Sequence, residues 1–220
     1  MREYHKINTI FKRDMESKSR SLIIGQYSMP EFEYLKNNIW IFTEKIDGTN
    51  IRVIWDCVKK DITFKGKTDN ASIPANLFKE LTLMFKPKQL KEIFPETDVC
   101  LYGEGYGAKI QNGGNYIPDG NDFILFDIKI GEWWLKKEDV FEIAGSLDID
   151  VVPIIGYGTL ADLVDLVKAG FKSKISDNKA FIAEGIVARP KIELKARNGE
   201  RIITKLKYCD FKSEATNANK

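Results

Sequence analysis

The sequence predicts an α+β protein. Strand-like runs with apolar alternation lie towards both ends, helix-period segments with their own start and stop signals are inserted between them, and there is no internal repeat or low-complexity linker. The expected architecture is antiparallel sheets flanked by helices. The 220 residues are 43% hydrophobic and 30% charged, which suits one large domain or two small ones with a real core. A single domain over residues 1–220 is the expectation adopted, with 209–220 as a short tail.

The elements follow in order. Ile51-Arg52-Val53-Ile54-Trp55 is alternating and rich in β-branched residues, so a strand leaves the Asp47-Gly48 turn and Lys45 lies at its edge. Residues 61–65 pair back as a hairpin partner. A helix opens over 73–81 with Pro74 near its first turn, and a second, shorter one covers 87–94. Strands are expected over 99–103 and 123–130, separated by a long loop containing Asn112-Gly113-Gly114-Asn115, and loops of that length in compact domains are often functional. Residues 136–144 read as a helix. Thr159-Leu160-Ala161-Asp162 is a capping box before Leu160, Leu163, Val164 and Val167, with Gly170 as the stop, and core packing explains that helix. Strands return over 180–188, 191–196 and 201–208, the last two joined by an Asn198-Gly199 turn. The chain after Phe211 reads as a frayed polar tail.

Composition excludes several classes. A net charge of +2 and a pI near 8.2 are too mild to announce a nucleic-acid protein, although local basic clusters can still act on phosphates. The first residues, Met1-Arg2-Glu3-Tyr4-His5-Lys6, are charged at once, and no apolar run reaches the length of a membrane span. A soluble, cytoplasmic monomer without membrane contact is expected. Cys57, Cys100 and Cys209 are widely spaced and lie in apolar runs, which reads as buried free thiols rather than a zinc site. His5 is the sole histidine and sits in a leader segment, so Ser-His-Asp and Cys-His catalysis have no support. Gly66-Lys67-Thr68 fails as a phosphate-binding P-loop because Asp61 replaces the required earlier glycine. Gly103-Glu104-Gly105-Tyr106-Gly107 fails the dinucleotide-binding spacing.

Glu44-Lys45-Ile46-Asp47-Gly48-Thr49-Asn50 sets a lysine between two carboxylates at the head of an apolar run. A lysine amine attacks only when unprotonated, and with an unperturbed pKa near ~10.4 few molecules qualify at neutral pH unless burial or neighbouring cations lower it. The segment alone is equally compatible with a surface turn. In Ile203-Thr204-Lys205-Leu206-Lys207 the strand period puts Lys205 and Lys207 on one face. Two such ammonium groups either clamp an anion such as phosphate or blunt an edge strand. Glu104 and Glu184 lie in apolar surroundings where a carboxylate needs a partner, and with Asp47 they could form an oxygen-rich site for Mg²⁺.

Taken in order, Lys45-Ile46-Asp47-Gly48, Tyr102-Gly103-Glu104-Gly105, Phe126 within Leu125-Phe126-Asp127-Ile128, Glu184-Gly185-Ile186-Val187 and Lys205-Leu206-Lys207 form a five-motif series. In this series the chain resembles the covalent nucleotidyltransferases, the superfamily of polynucleotide ligases and mRNA capping enzymes, and most closely the phage-type ATP-dependent RNA ligases. The match runs from about residue 4 to residue 208. The resemblance implies a ligase adenylation-domain fold. It also implies that Lys45 takes AMP from ATP as a lysyl-phosphoramidate, passes it to an RNA 5′-phosphate, and that a 3′-hydroxyl then displaces AMP in RNA repair, at a nick or in tRNA. Lys205 and Lys207 would assist at the α-phosphate, with Mg²⁺ or Mn²⁺ held by Asp47, Glu104 and Glu184. Glu44 would lie beside adenine, Phe126 would stack on it and Glu104 would approach the ribose. Asn50 and Lys67 would hold phosphate, and Ile46 and Glu184 complete the nucleotide site. Lys67 stands where arginine is more usual, and lysine keeps the charge but loses the bidentate fork.

Rival readings are a DNA ligase or a capping-type enzyme, or a non-catalytic nucleic-acid-binding relative. The first two normally carry an OB-fold after the last lysine motif, and phage RNA ligases usually carry a C-terminal domain too, whereas here no C-terminal OB-fold is expected in the few residues that follow, a departure from all three.

Overall fold

A computed structural model describes residues 3–211. The chain begins with β1 (Asn8–Thr9), β2 (Phe11–Arg13), β3 (Leu22–Tyr27), α1 (Pro30–Tyr34), β4 (Trp40–Lys45), β5 (Thr49–Asp56) and β6 (Asp61–Lys65). It continues through α2 (Ala75–Met84), α3 (Pro87–Ile93), β7 (Val99–Gly107), β8 (Asn121–Ile130), β9 (Trp133–Trp134) and α4 (Lys137–Leu147). The last elements are β10 (Asp150–Val151), β11 (Ile154–Gly158), α5 (Leu160–Ala169), β12 (Gly185–Pro190) and β13 (Thr204–Lys207). Two compact units result: among the described residues, 3–5, 46–152 and 175–178 form the first and 6–45, 153–174 and 179–211 the second.

The first unit is built on a sheet of order β10-β8-β7-β5-β6, with β9 added to β8. β5 and β6 form the expected hairpin, pairing Arg52 with Lys65 and Asp56 with Asp61. Period two along β5 sends Ile51, Val53 and Trp55 to one face, where Leu77 and Leu81 of α2, Leu90 of α3 and Val140 and Ala144 of α4 close a core. The indole N–H of Trp55 donates to the Phe94 carbonyl at 3.0 Å, so this fully buried ring leaves no polar atom unmatched.

β7 runs through to Gly107, past the expected end at residue 103. Its glycines do not break it. A side chain at Gly103 would strike the Phe123 ring, and one at Gly105 the side chain of Leu77, so the missing Cβ atoms are the space that those core groups fill. Across β7 and β8, Tyr102 pairs with Asp127 but Gly103 pairs with Leu125, so Phe126 is an extra residue in a β-bulge.

The second unit has the sheet order β1-β13-β12-β4-β11 and a separate β2-β3 pair. Trp40 and Phe42 of β4, Ile186 and Ala188 of β12 and Leu206 of β13 pack against Leu160, Leu163 and Val167 of α5. The capping box of α5 is formed: the Asp162 N–H donates to the Thr159 hydroxyl at 3.3 Å and the Thr159 N–H to the Asp162 carboxylate at 2.8 Å. Gly170, at φ +76°, ends the helix in a backbone conformation that residues with side chains rarely adopt.

Several expected boundaries change. α2 starts at Ala75 rather than residue 73, with Pro74 at its N-cap, next to the first turn as expected. Residues 180–183 stand apart from β12: the Ser173 N–H donates to the Phe181 carbonyl and the Ala183 N–H to the Phe171 carbonyl. Residues 191–196 are not a strand but form a single bridge, Lys195 with Arg201, and the Glu193 carboxylate meets the Arg201 guanidinium at 2.6 and 2.9 Å. Of 201–208 only Thr204–Lys207 is strand, followed by a 3-10 turn from Tyr208 to Phe211. The three thiols are free, but only Cys100 is buried; Cys57 is half-buried and Cys209 exposed. No helix among the described residues is long and apolar enough to cross a membrane. The tail expected over 209–220 lies outside the described residues from 212 onward.

This packing makes α5 and β13 unequal in what they tolerate. Leu206→Ala should lower the unfolding free energy by about 2–5 kcal/mol, through lost burial and a residual cavity. Thr159→Ala should cost about 1 kcal/mol, the worth of an N-cap. Chemical denaturation checks both, and equal losses would contradict the placement of Leu206 in the core.

Candidate functional site

The expected site residues fall into two groups, one in each unit. In the second unit, β12 pairs with β4 and β13 on either side, so Gly185 has Lys45 as one cross-strand partner and Lys207 as the other. Gly185 is compelled by close approach, because a Cβ there would run into the Leu206 carbonyl. The row Lys45, Gly185, Lys207 therefore has ammonium-bearing side chains at its ends and none in the middle. Glu184, one residue before, occupies that gap: Lys45 Nζ lies 2.6 Å from its Oε2 and Lys207 Nζ 2.5 Å from its Oε1. The Glu184 side chain is 11% exposed and that of Lys45 20%, so this arm of the bridge is largely shielded, whereas the Lys207 side chain is 36% exposed and its arm is open to solvent screening.

Lys205 shares a face with Lys207, as period two requires, while Thr204 and Leu206 are buried on the other. Glu44 is 1% exposed. Its Oε2 accepts the Lys174 N–H at 2.9 Å, the Ser173 hydroxyl also bonds to its carboxylate, and Oε1 is buried with no hydrogen-bond partner. Burial raises the Glu44 pKa above the ordinary carboxylate value, and the bonds to Ser173 and Lys174 only partly oppose it.

In the first unit, Ile46 is buried and Asp47 opens the turn into β5. The Asp47 carboxylate accepts from the Asn112 side chain at 2.7 Å, and its N–H donates to the Tyr116 hydroxyl oxygen at 3.2 Å. Gly48 lies against Glu104 and Gly105, where a Cβ would clash with the Gly105 carbonyl. Asn50 and Glu104 are directly paired across β5 and β7, and the Asn50 Oδ1 is buried without a partner. Phe126 is not a member of the apolar core; it is half-buried at the bulge. The Tyr4 ring meets it edge-on at 5.0 Å and also packs on Tyr102, while the Tyr4 hydroxyl donates to Asp127 at 2.6 Å. The carbonyl of Phe126 accepts from the buried Lys137 ammonium at 2.5 Å. Asn50, Glu104 and Phe126 thus share the sheet face opposite the core, and Lys67 is exposed on the loop after β6.

Among the described residues no three His, Cys, Asp or Glu side chains gather closely enough to hold a metal ion. Carboxylates presented singly suit Mg²⁺, which keeps several waters and is commonly bound through one or two carboxylates together with substrate phosphates.

Sequence reasoning missed the residues that hold these groups. Ser173 and Lys174 steady Glu44, Tyr116 and Asn112 steady the Asp47 turn, and Tyr4 and Lys137 steady Phe126. Asn112 lies in the loop marked by its length. Tyr116, Ser173 and Lys174 act from far along the chain, Lys174 across 130 positions, Tyr4 acts from a leader segment, and Lys137 acts across 11 positions from the next helix; no local pattern identifies them.

The fold is similar to that of solved RNA ligase structures. Naegleria gruberi RNA ligase with PPi superposes with a TM-score of 0.63 at 21% identity, over 86% of this chain and 55% of that one. An arginine-to-alanine variant of the same enzyme, with ATP and Mn, gives 0.63 at 18% identity over 99% and 62% of the two chains. A lysine-to-alanine variant with ATP and Mn gives 0.60 at 20% identity over 93% and 57%. These likenesses establish the fold, and this chain spans between 55% and 62% of the length of those three structures. No curated protein matches by sequence. The RNA ligase family model, however, matches residues 38–207, from just before β4 to the last residue of β13, and the chain belongs to the RNA ligase family.

Proposed function

We propose that the chain works as one nucleotidyltransferase domain of an ATP-dependent RNA ligase, with Lys45 as the nucleophile. The observation that carries this reading is the carboxylate of Glu184 shared by Lys45 and Lys207. It gathers a nucleophile, the proton acceptor nearest to it and a phosphate-seeking cation within one bridge. Lys45 Nζ attacks the α-phosphorus of ATP; the N–P bond forms, the bond to the bridging oxygen breaks and pyrophosphate leaves. The proton shed by Lys45 has Glu184 Oε2 as its nearest acceptor. Lys205 and Lys207 neutralise charge on the α-phosphate, and fixed charges of this kind supply most of the assistance that phosphoryl transfer can use.

An RNA 5′-phosphate oxygen then takes AMP from Lys45, and a 3′-hydroxyl displaces AMP to seal the strand, in nick or tRNA repair. Phe126 supplies a ring face for adenine. The unmatched Glu44 Oε1 is an acceptor for the adenine amino group, where a guanine carbonyl would meet only another acceptor. Glu104 and Asn50 serve the ribose and phosphates, with Ile46 against the nucleotide and Lys67 on phosphate. Mg²⁺ or Mn²⁺ bound with ATP would neutralise phosphate charge, with Asp47, Glu104 and Glu184 as the residues to hold it through waters. The support from relatives is that the Naegleria enzyme has been observed with ATP, AMP and Mn.

Incubation with ATP and Mg²⁺ should give wild-type protein a mass shift of one AMP, absent from Lys45→Ala; an undiminished adduct in that variant would sink the assignment. A nucleotide panel and a comparison of nicked RNA duplex, RNA/DNA hybrid and single strands extend the same assay. Lys205→Glu and Lys207→Glu should each slow adduct formation by roughly a hundredfold, the worth of one fixed charge donor. Full adenylylation by both would remove the phosphate clamp. Glu44 binds its proton more tightly in the folded chain than in the unfolded one. Its contribution to stability is therefore complete below the ordinary value of 4.5 and is lost as pH rises through the raised folded value. Glu44→Gln should abolish that decline, so the melting temperatures of wild type and variant should diverge with pH above 4.5. Parallel profiles would contradict it.

A further inference from the structure

We propose that Arg52 is a positioning residue that fixes the 66–69 loop so that Lys67 meets the nucleotide phosphates. The proposal rests on the lysyl-AMP reading above. Arg52 lies on β5 with its side chain on the face opposite the core, and it is fully buried. Its guanidinium is directed at the loop that follows β6: Nε donates to the Gly66 carbonyl at 2.9 Å and Nη2 to the Asp69 carboxylate at 2.9 Å. These two anchors bracket Lys67 and Thr68. The far anchor is held twice more, by the Lys65 ammonium on the same Asp69 oxygen at 3.0 Å and by the Glu3 carboxylate, which accepts the Asp69 N–H at 3.1 Å. The near anchor is also confined, since a side chain on Gly66 would come within 2.9 Å of the Ala71 Cβ.

Stability alone is a poor account of this arrangement. A buried guanidinium is a costly choice where an apolar side chain could serve, and here the Nη1 is buried without a partner while the acceptor Asp69 is 59% exposed. What the arrangement secures is the backbone on both sides of Lys67. That need follows from the lysine itself. An arginine at 67 would carry a pre-organised fork that makes two bonds to phosphate and loses little side-chain freedom per bond. A lysine is a point charge on a flexible stem that must be ordered on binding, and a backbone already fixed on both sides of it removes part of that cost. Arg52 thus supplies from beneath the loop the order that a fork at position 67 would have brought.

The test measures the rate of AMP-adduct formation against ATP concentration for wild type, Arg52→Lys, Asp69→Asn, Lys67→Ala and the two pairs with Lys67→Ala. Lys67→Ala should raise the KM for ATP about tenfold, the worth of one charge-assisted contact. Arg52→Lys and Asp69→Asn should each raise it about threefold to fivefold with the limiting rate retained, since they displace that contact rather than remove it. Adding either to Lys67→Ala should produce no further rise, because a residue that acts through Lys67 has nothing left to act on. Additive effects, or a lowered melting temperature with the KM unchanged, would make Arg52 a staple of the fold and overturn the proposal. Should Arg52→Lys fail to fold, the exposed Asp69→Asn carries the same cycle. Additive effects in a wild-type background that forms adduct defeat this proposal alone, whereas no adduct in wild type defeats the lysyl-AMP reading and this proposal with it.

Discussion

One carboxylate shared by two ammonium groups sets the demands on the second unit. Glu184 can receive Lys45 and Lys207 together only if β4, β12 and β13 lie side by side with Lys45, Gly185 and Lys207 in one row. A slip of one residue in either pairing would send a lysine to the opposite face, since strand side chains alternate. The core enforces the register. Leu206 and Ile186 are paired across the strands and both are fully buried, so the arrangement that satisfies the apolar face also places the charges. Gly185 is the point where these demands meet, because the Leu206 carbonyl comes too close for any side chain there.

The charge count of that bridge bears on its chemistry. Two ammonium groups and one carboxylate leave a net charge of one positive unit, so the group is satisfied without a ligand yet attractive to an anion. Lys205 adds a second positive charge on the same face. A phosphate approaching this face finds neighbours already fixed by the sheet, and little reorganisation is needed at the moment of reaction. Glu44 is prepared in a different way: one oxygen is held by Ser173 and Lys174 and the other is left dry and unmatched. An unsatisfied buried acceptor costs about 1–3 kcal/mol, and a hydrogen-bond donor from a nucleotide would recover it.

How much of this was legible in the sequence depends on whether the cause is local. The β5-β6 hairpin, the capping box before α5 and the shared face of Lys205 and Lys207 each follow from a few consecutive residues, and each is observed. The extension of β7 through Gly103 and Gly105 was not legible, because its cause is a phenylalanine on β8 and a leucine on α2 occupying the glycines' space. Residues 191–196 have the alternation of a strand but pair with the returning chain only through the Lys195–Arg201 bridge, and a periodicity argument does not see whether a partner strand is there to extend the ladder. The partners of Glu44 and Asp47 were out of reach for the same reason. They are contacts between distant segments, chosen by the fold.

Phe126 is the instructive intermediate. Along β8 the residues that enter the core are Phe123 and Leu125, then Ile128, with Ile130 packed against it. The inward positions are odd before Phe126 and even after Asp127, a change of phase that an unbroken strand cannot make. One extra residue must be absorbed between them, and the ladder absorbs it as the bulge between the Tyr102-Asp127 and Gly103-Leu125 pairs. The consequence is physical. An aromatic side chain that regular alternation would leave to chance is lifted onto the face bearing Asn50 and Glu104, its carbonyl secured by Lys137 and its ring edge by Tyr4. A break in apolar phase within a strong strand, with an aromatic residue at the break, is therefore a sequence-level sign that the strand is spending a residue on something other than the core.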